Sequence, residues 1–128
     1  VLSHSFQEEQ LKNGESRVVL KIPAILSPIK AAILPLTKKD GMPEKAREIM
    51  KMLQIDFNCQ YEEKDSIGKR YRRQDAIGTS FCITIDHQTL EENTVTLRDR
   101  DTMEQERVST EKLHSIIAEK VNISKYLI

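Results

Sequence analysis

Tryptophan is absent from the 128 residues, and tyrosine and phenylalanine contribute only three residues each. No apolar run approaches the roughly 20 residues that cross a bilayer, and no basic segment leads into an apolar one as in a secretory signal. The chain also lacks the G-x-x-x-x-G-K-[ST] loop that holds nucleotide phosphates. These absences argue against a membrane protein, a secreted precursor and a nucleotide-binding unit that works by itself.

Cysteine and histidine are scarce, at two and three residues. They form no C-x-x-C or H-x-x-x-H spacing of the kind that holds zinc. Cys59 and Cys82 have apolar, strand-like neighbours, which predicts two buried, reduced thiols in a cytoplasmic protein. A Cys–His nucleophile formed by Cys82 and His87 is an alternative that no motif marks. We therefore predict no catalytic residue, no metal site and no cofactor site within the chain.

The net charge is zero, with 20 Lys and Arg against 20 Asp and Glu, which excludes a globally basic nucleic-acid binder. The charges are unevenly distributed: residues 66–78 carry four positive charges and one negative, whereas residues 86–92 carry three negative charges. Local patches of this kind direct a partner to one part of a surface. Length and composition fit one soluble globular domain. Because the first residue is Val1 and not Met, we expect a longer parent protein.

The hydrophobic pattern predicts the element order β-α-β-α-β-β-β-α, because short apolar or alternating runs alternate with segments of three-and-four spacing. Such an order indicates an α/β fold with a mainly parallel sheet, helices on both faces and a final antiparallel hairpin. Leu53 and Ile116 are predicted to lie on the apolar stripes of the first and last helices. The predicted segments are strand 30–36, a helix from Pro43, strand 57–63, helix 66–78, strand 80–86, two strands within 94–108 joined by a turn near 99–101, and a helix from Ser109.

The segment "SIGKRYRRQDAIG" (66–78) is the most concentrated positive stretch. At about 100° per residue, a helix capped by Asp65 or Ser66 turns Ile67, Tyr71, Gln74 and Gly78 toward the sheet. The opposite side then carries Lys69, Arg72 and Arg73, with Arg70 on the flank. Converging cations without neighbouring carboxylates suit a phosphate-binding surface, and an ordinary solvated helix face is the alternative.

The segment "LRDRD" (97–101) is the second unusual feature. In a strand, Arg98 and Arg100 point to one face and Leu97 to the other. Paired arginines can grip phosphates or base edges, and cross-strand pairing with Glu104 or Glu106 is the alternative. Two further pairs of residues stay open: Asp75 and Asp86 can read a base or tether a local arginine, and Tyr61 and Tyr71 can stack on bases or pack in the core.

Two long stretches, "SIGKRYRRQDAIGTSFCITID" (66–86) and "NTVTLRDRDTMEQERV" (93–108), together with residues 17–41, make the chain similar to one known family. It resembles the C-terminal anticodon-binding domain of single-chain, homodimeric glycyl-tRNA synthetases. Prolyl-, threonyl- and histidyl-tRNA synthetases have similar domains, but the wording of these stretches points to the glycyl branch. Ser80 departs from the family, which usually has proline after "IGT", and this bears on the rigidity of the loop.

The resemblance implies a three-layer α/β/α fold with a mixed five-stranded sheet in the order 2-1-3-4-5. It implies a cytoplasmic parent enzyme that attaches glycine to its tRNA with ATP and magnesium, and that works as a homodimer with a catalytic domain upstream. Residues 1–16 would then be the trailing segment of that domain or a linker, and residues 17–128 the anticodon-binding domain. The residues predicted to face the anticodon stem-loop are Lys69, Arg70, Arg72, Arg73, Asp75, Arg98 and Arg100.

Two other functions remain open at this point. The same domain can serve as a non-catalytic accessory module that binds nucleic acid. It can also be retained for contacts between subunits without any role in binding RNA.

Overall fold

A computed structural model describes residues 6–10, 16–20 and 23–124. Within these ranges the strands are β1 (Phe6–Gln10), β2 (Ser16–Leu20), β3 (Ala31–Pro35), β4 (Cys59–Tyr61), β5 (Phe81–Ile85), β6 (Thr94–Asp99) and β7 (Gln105–Ser109). The helices are α1 (Met42–Gln54), α2 (Ile67–Ile77), α3 (His87–Glu92) and α4 (Thr110–Ser124), with a single 3₁₀ turn at Ala24–Leu26. No helix among the described residues has both the length and the apolarity that a membrane crossing requires.

Strands β3 to β7 form one mixed sheet in the order β4-β3-β5-β6-β7. The first three strands are parallel, and β6 and β7 add antiparallel pairing at one side. Counted from β3, this is the order 2-1-3-4-5, so the predicted α/β fold and sheet order are confirmed. The parallel strands are joined by helices because two parallel strands cannot be linked by a short turn.

One side of the sheet, here called the core face, carries Ile33, Ile83 and Leu97 and packs against α1 and α4. Leu53 of α1 is fully buried in this layer, as predicted. On α4, Leu113 and Ile117 are fully buried whereas Ile116 is only partly buried. The apolar stripe of α4 is therefore rotated slightly from the predicted one, with Ile116 on its margin.

The other side of the sheet, here called the α2 face, is covered by α2. Ile67 and Tyr71 of the helix pack against Ala32, Leu34 and Cys82 of β3 and β5. All five residues of β3 are buried, since both faces of this strand are covered, and this explains its unbroken apolar sequence. The result is the predicted α/β/α arrangement, with α2 alone against a smaller apolar cluster.

The β1–β2 hairpin and helix α3 were not predicted. Strands β1 and β2 pair as an antiparallel hairpin, and β2 packs against α2 with Val19 fully buried. Residues 86–92, predicted only as an acidic stretch, contain helix α3, whose N-cap is Asp86 in a reciprocal capping box with Thr89. The predicted domain boundary after residue 16 falls at the start of β2, and residues 1–5 and 11–15 of the predicted upstream segment lie outside the described residues.

Candidate nucleic-acid interface

Helix α2 is positioned by clear start and stop signals. The hydroxyl of Ser66 accepts a hydrogen bond from the backbone N–H of Lys69, which makes Ser66 the N-cap. Gly78 ends the helix in a left-handed conformation, with φ of 82°, that glycine adopts without steric cost. These two ends fix where the helix starts and stops. Gln74 and Gly78 are buried as predicted, while Lys69 and Arg73 are exposed.

Arg70 lies in the interior and not on the outer flank of α2, so the predicted position is wrong. Its side chain is 1% exposed, and Nη1 donates to the carbonyl oxygens of Pro35 at 2.7 Å and Glu62 at 3.0 Å. Nη2 donates to the carbonyl of Leu36 at 3.4 Å. Burial lowers the pKa of Arg70 below its ordinary value, and the charge of Glu62 opposes that change. Arg70 thus fastens the start of α2 to the ends of β3 and β4.

Arg98 and Asp75 form a buried ion pair between β6 and α2. The two terminal nitrogens of Arg98 donate to the two carboxylate oxygens of Asp75 at 2.9 and 3.1 Å, and both residues are at most 5% exposed. Burial opposes the charged form of Arg98, but the hydrogen bonds and charge of Asp75 outweigh it and raise the pKa of the guanidinium. Arg98 is therefore not paired with Glu104 or Glu106, because its guanidinium is bound to Asp75.

Aromatic packing completes the contact between α2 and the sheet. The guanidinium carbon of Arg98 lies 4.6 Å from the centre of the Tyr71 ring, and the Tyr71 hydroxyl is hydrogen-bonded to Thr84 Oγ1 at 2.6 Å. Burial raises the pKa of Tyr71. Tyr71 was predicted either to stack on bases or to pack in the core, and it packs in the core. Tyr61 lies against Arg47, and its hydroxyl donates to Glu63 Oε2 at 2.6 Å.

Arg100 is also buried, at 3% exposure. Its Nη1 donates to the carbonyl of Gly78 at 2.9 Å and to Ser27 Oγ at 3.3 Å, while its Nε donates to Asp101 at 2.8 Å. The neighbouring residue Ser80 is held by its backbone, since its N–H donates to Ile29 and its carbonyl accepts from Arg100. Arg100 therefore fixes the end of α2 and the loop before β5.

Three of the predicted site residues have outward positions on α2. Lys69 and Arg73 are exposed, and Arg72 is half-buried. Arg73 is paired with carboxylates, because its Nη1 lies 2.7 Å from Asp65 Oδ2 and its Nη2 contacts Glu62. The hydrogen bond that Arg73 donates to Asp65 raises the pKa of Arg73 and lowers the pKa of Asp65. The basic face is thus partly neutralised by its own loop, which the sequence-based expectation did not include.

Further cations lie at the carboxyl edge, here meaning the edge of the sheet where β3, β4 and β5 end. Lys38 and Lys39 are exposed in the loop after β3. Because Arg70 ties α2 to Leu36 at the same edge, Lys69 and this loop share it. Ligands of open α/β sheets bind at this edge, where the strand order reverses. Lys38 and Lys39 were not among the predicted site residues, although their place directly after a predicted parallel strand was a usable signal.

Arg107 adds another cation near the same edge. It donates to both carboxylate oxygens of Asp86 at 3.1 and 2.6 Å. Asp86 has two duties, since it also caps α3, and the hydrogen bonds from Arg107 and Thr89 lower its pKa. Of the two predicted roles of Asp86, tethering a local arginine is the one that the structure has.

The two cysteines are unpaired with each other, as predicted, and Cys82 is buried while Cys59 is half-buried. Burial raises the pKa of the Cys82 thiol to about 12 and that of Cys59 to about 11. Since a nucleophilic cysteine needs its thiolate, the Cys82–His87 alternative is not supported. Among residues 6–10, 16–20 and 23–124, no group of three or more His, Cys, Asp or Glu side chains is arranged to hold a metal ion.

Comparisons with known proteins agree on one family. A family model described as "Anticodon binding domain" matches residues 30–120. The glycine–tRNA ligase of Clostridium tetani is 53% identical over 120 residues, which cover 94% of this chain and 26% of that protein. The glycine–tRNA ligase of Chlorobaculum tepidum is 50% identical over 121 residues with the same coverage, and that of Borrelia hermsii is 45% identical, covering 94% and 27%. The chain thus spans about a quarter of the length of the curated relatives it matches.

A solved structure agrees with the fold. The RNA binding domain of threonyl-tRNA synthetase from Cryptosporidium parvum superposes with a TM-score of 0.71 over 78% of this chain and 25% of that one. The sequence identity is 24%, so this likeness concerns the fold alone.

Proposed function

We propose that this chain, which belongs to the family of anticodon-binding domains, binds the anticodon stem-loop of glycine tRNA as one domain of a glycine–tRNA ligase. The support for the glycyl branch is that relatives of 45–53% identity carry that name. The parent enzyme would be a cytoplasmic homodimer that attaches glycine with ATP and magnesium in a separate catalytic domain. This chain's own residues would supply the RNA contact, and we assign them no step in the ATP chemistry.

The observation that carries this proposal is the outward basic side of α2 next to the carboxyl edge. Lys69, Lys38 and Lys39 are exposed there, and Arg72 and Arg73 continue the positive side along the helix. Lysine and arginine at a nucleic-acid interface neutralise phosphates and fix its orientation. A stem-loop whose backbone follows this surface would present its unpaired bases to the carboxyl edge, where β3, β4 and β5 end and the loops after them begin.

The four buried site residues have a different role in this proposal. Arg70, Asp75, Arg98 and Arg100 are at most 5% exposed and hold α2 against β3, β6 and the loop before β5. A direct base contact by any of them would require one of these buried hydrogen bonds to open, with a penalty for each group left unpaired. We therefore propose that they position the basic helix, and that Lys69 and Arg72 touch the RNA.

The proposal is tested with a titration of the glycine anticodon stem-loop at several salt concentrations. Lys69→Ala should weaken binding and lower the slope of log affinity against log salt by roughly 1, as expected for one lost phosphate contact. Lys112→Ala is the matched control, because Lys112 is also exposed but lies on α4, across the sheet. An equal slope for Lys69→Ala and the wild type would contradict the proposed surface.

The resemblance implies that the last two anticodon letters of glycine tRNA are both cytosine, and specificity is tested with a second RNA in which both are replaced by uracil. A domain that reads the anticodon should bind the glycine stem-loop more tightly, whereas a pure electrostatic surface should bind both equally. A non-catalytic accessory module built on the same domain, the alternative function, is not favoured by the ligase names of the relatives.

A further inference from the structure

Strand β7 forms one edge of the sheet, since among the described residues it pairs with β6 alone. The N–H of Asp99 donates to the carbonyl of Glu104, which identifies these two as a hydrogen-bonded pair. Hydrogen-bonded and non-hydrogen-bonded pairs alternate along an antiparallel ladder. The backbone groups of Glu106 and Val108 therefore point toward β6, whereas those of Gln105 and Arg107 point away from the sheet. An open row of this kind is a template for another strand.

A groove of about 510 Å³ lies beside this edge on the core face. Phe81 and Leu97 contribute apolar surface to it, and Lys120 of α4 lines it as well. The remaining lining residues come from β6, β7 and the turn between them, namely Asp99, Thr102, Glu104, Gln105 and Glu106. Phe81 and Leu97 are only 3% and 2% exposed, so the groove has a small apolar floor and a largely polar lining, and it lies directly next to the outward-pointing backbone groups of β7.

The charge of the groove is negative, since three carboxylates, Asp99, Glu104 and Glu106, face one amine, Lys120. The groove lies on the face of the sheet opposite α2, and it is next to Phe81, the first residue of β5, away from the carboxyl edge. A polyanion such as RNA would be repelled here. A segment with lysine or arginine side chains would be attracted, and it would meet the carboxylates at every second residue of an added strand.

We propose that the β7 edge and its acidic groove dock an extended, basic segment of the parent polypeptide outside residues 1–128, by strand addition. This inference rests on the proposed function, because it takes the chain to be one domain of a longer ligase. The chain spans about a quarter of its curated relatives, so most of such a polypeptide would lie outside it. Backbone hydrogen bonds to Gln105 and Arg107 would supply affinity, and Glu104 and Glu106 would select a positively charged strand.

The test is hydrogen–deuterium exchange at single-residue resolution on the full-length parent protein. If a strand is added, the outward amides of Gln105 and Arg107 should be protected about as strongly as the inward amides of Glu106 and Val108. If the edge is free and its charges merely discourage aggregation, the outward amides should exchange at least about tenfold faster than the inward ones. That result would overturn the proposal.

A double variant with two reversed charges gives a second, independent test. Glu104→Lys with Glu106→Lys should restore fast exchange at Gln105 and Arg107 in the full-length protein. Glu91→Lys, at an exposed position on α3, is the control and should leave the protection unchanged. Loss of protection in both the double variant and the Glu91→Lys control would contradict the proposal that the added strand binds in this groove. Titration of the anticodon stem-loop with the same variants separates strand addition at β7 from RNA binding at α2. A failure to bind RNA would contradict the proposed function of α2 and would not bear on the β7 edge.

Discussion

Replacing Asp75 by alanine removes the carboxylate that faces the guanidinium of Arg98, and it leaves that guanidinium inside the protein. The side chains of Arg98 and Asp75 are 6% and 1% exposed, so water cannot replace the lost partner without opening the contact between α2 and β6. Breaking a buried pair in this way costs about 3–5 kcal/mol of unfolding free energy. Because a domain of this size has roughly 5–15 kcal/mol in total, the variant should remain folded but with a clearly lower urea midpoint.

The double variant Asp75→Ala with Arg98→Met removes both charges and keeps an unbranched side chain over Tyr71. We expect it to be more stable than Asp75→Ala alone, because no unpaired charge is left in the interior. The measurement is equilibrium unfolding in urea followed by circular dichroism. Arg73→Ala is the matched control, since Arg73 is also ion-paired on α2 but its side chain is 46% exposed, and its loss should change the midpoint far less.

Two results would refute this reasoning. If Asp75→Ala and Arg73→Ala shift the urea midpoint equally, the Arg98–Asp75 pair is not buried as described. If the double variant is no more stable than Asp75→Ala, the cost arises from lost packing and not from an unpaired charge. Stem-loop titration with the double variant adds a functional reading: preserved affinity would show that neither group is needed as a direct RNA contact.

Two further predictions concern the packing of the core and the loss of stability at acid pH. Leu53→Ala should lower the free energy of unfolding by about 2–5 kcal/mol because the side chain is fully buried. Ile116→Ala should lower it distinctly less because Ile116 is only partly buried. Equal losses in urea unfolding would mean that Ile116 does not lie on the margin of the apolar stripe of α4. The pKa of Asp86 is lowered by Arg107 and Thr89, so its contribution to stability is present above its unfolded pKa and is lost as the pH falls through its folded pKa. Asp86→Asn, which keeps an N-cap side chain, should therefore show a smaller loss of unfolding free energy between pH 5 and pH 3 than the wild type, and parallel curves would contradict this linkage.

The prediction of the fold from the sequence succeeded wherever a local pattern was sufficient. The unbroken apolar run around β3, the alternation of Leu97 and Arg98 and the capping of α2 by Ser66 each depend on residues within a few positions of one another. The β1–β2 hairpin and α3 were missed because both are short. Their stability comes from contacts with other elements, such as the burial of Val19 under α2.

The sequence by itself determined the order of the strands and helices from β3 onward except for α3, the strand order that follows from the resemblance, and the presence of a basic helix. Only the tertiary structure decided which charges of that helix and of β6 are available to a partner. Arg70 reaches carbonyl groups 34 and 35 residues away, and Arg98 reaches a carboxylate 23 residues away. Periodicity gives the direction of a side chain from its own helix or strand, but burial depends on which distant elements pack against it. A guanidinium therefore looks the same in the sequence whether it binds phosphate in solvent or holds two elements together in the interior.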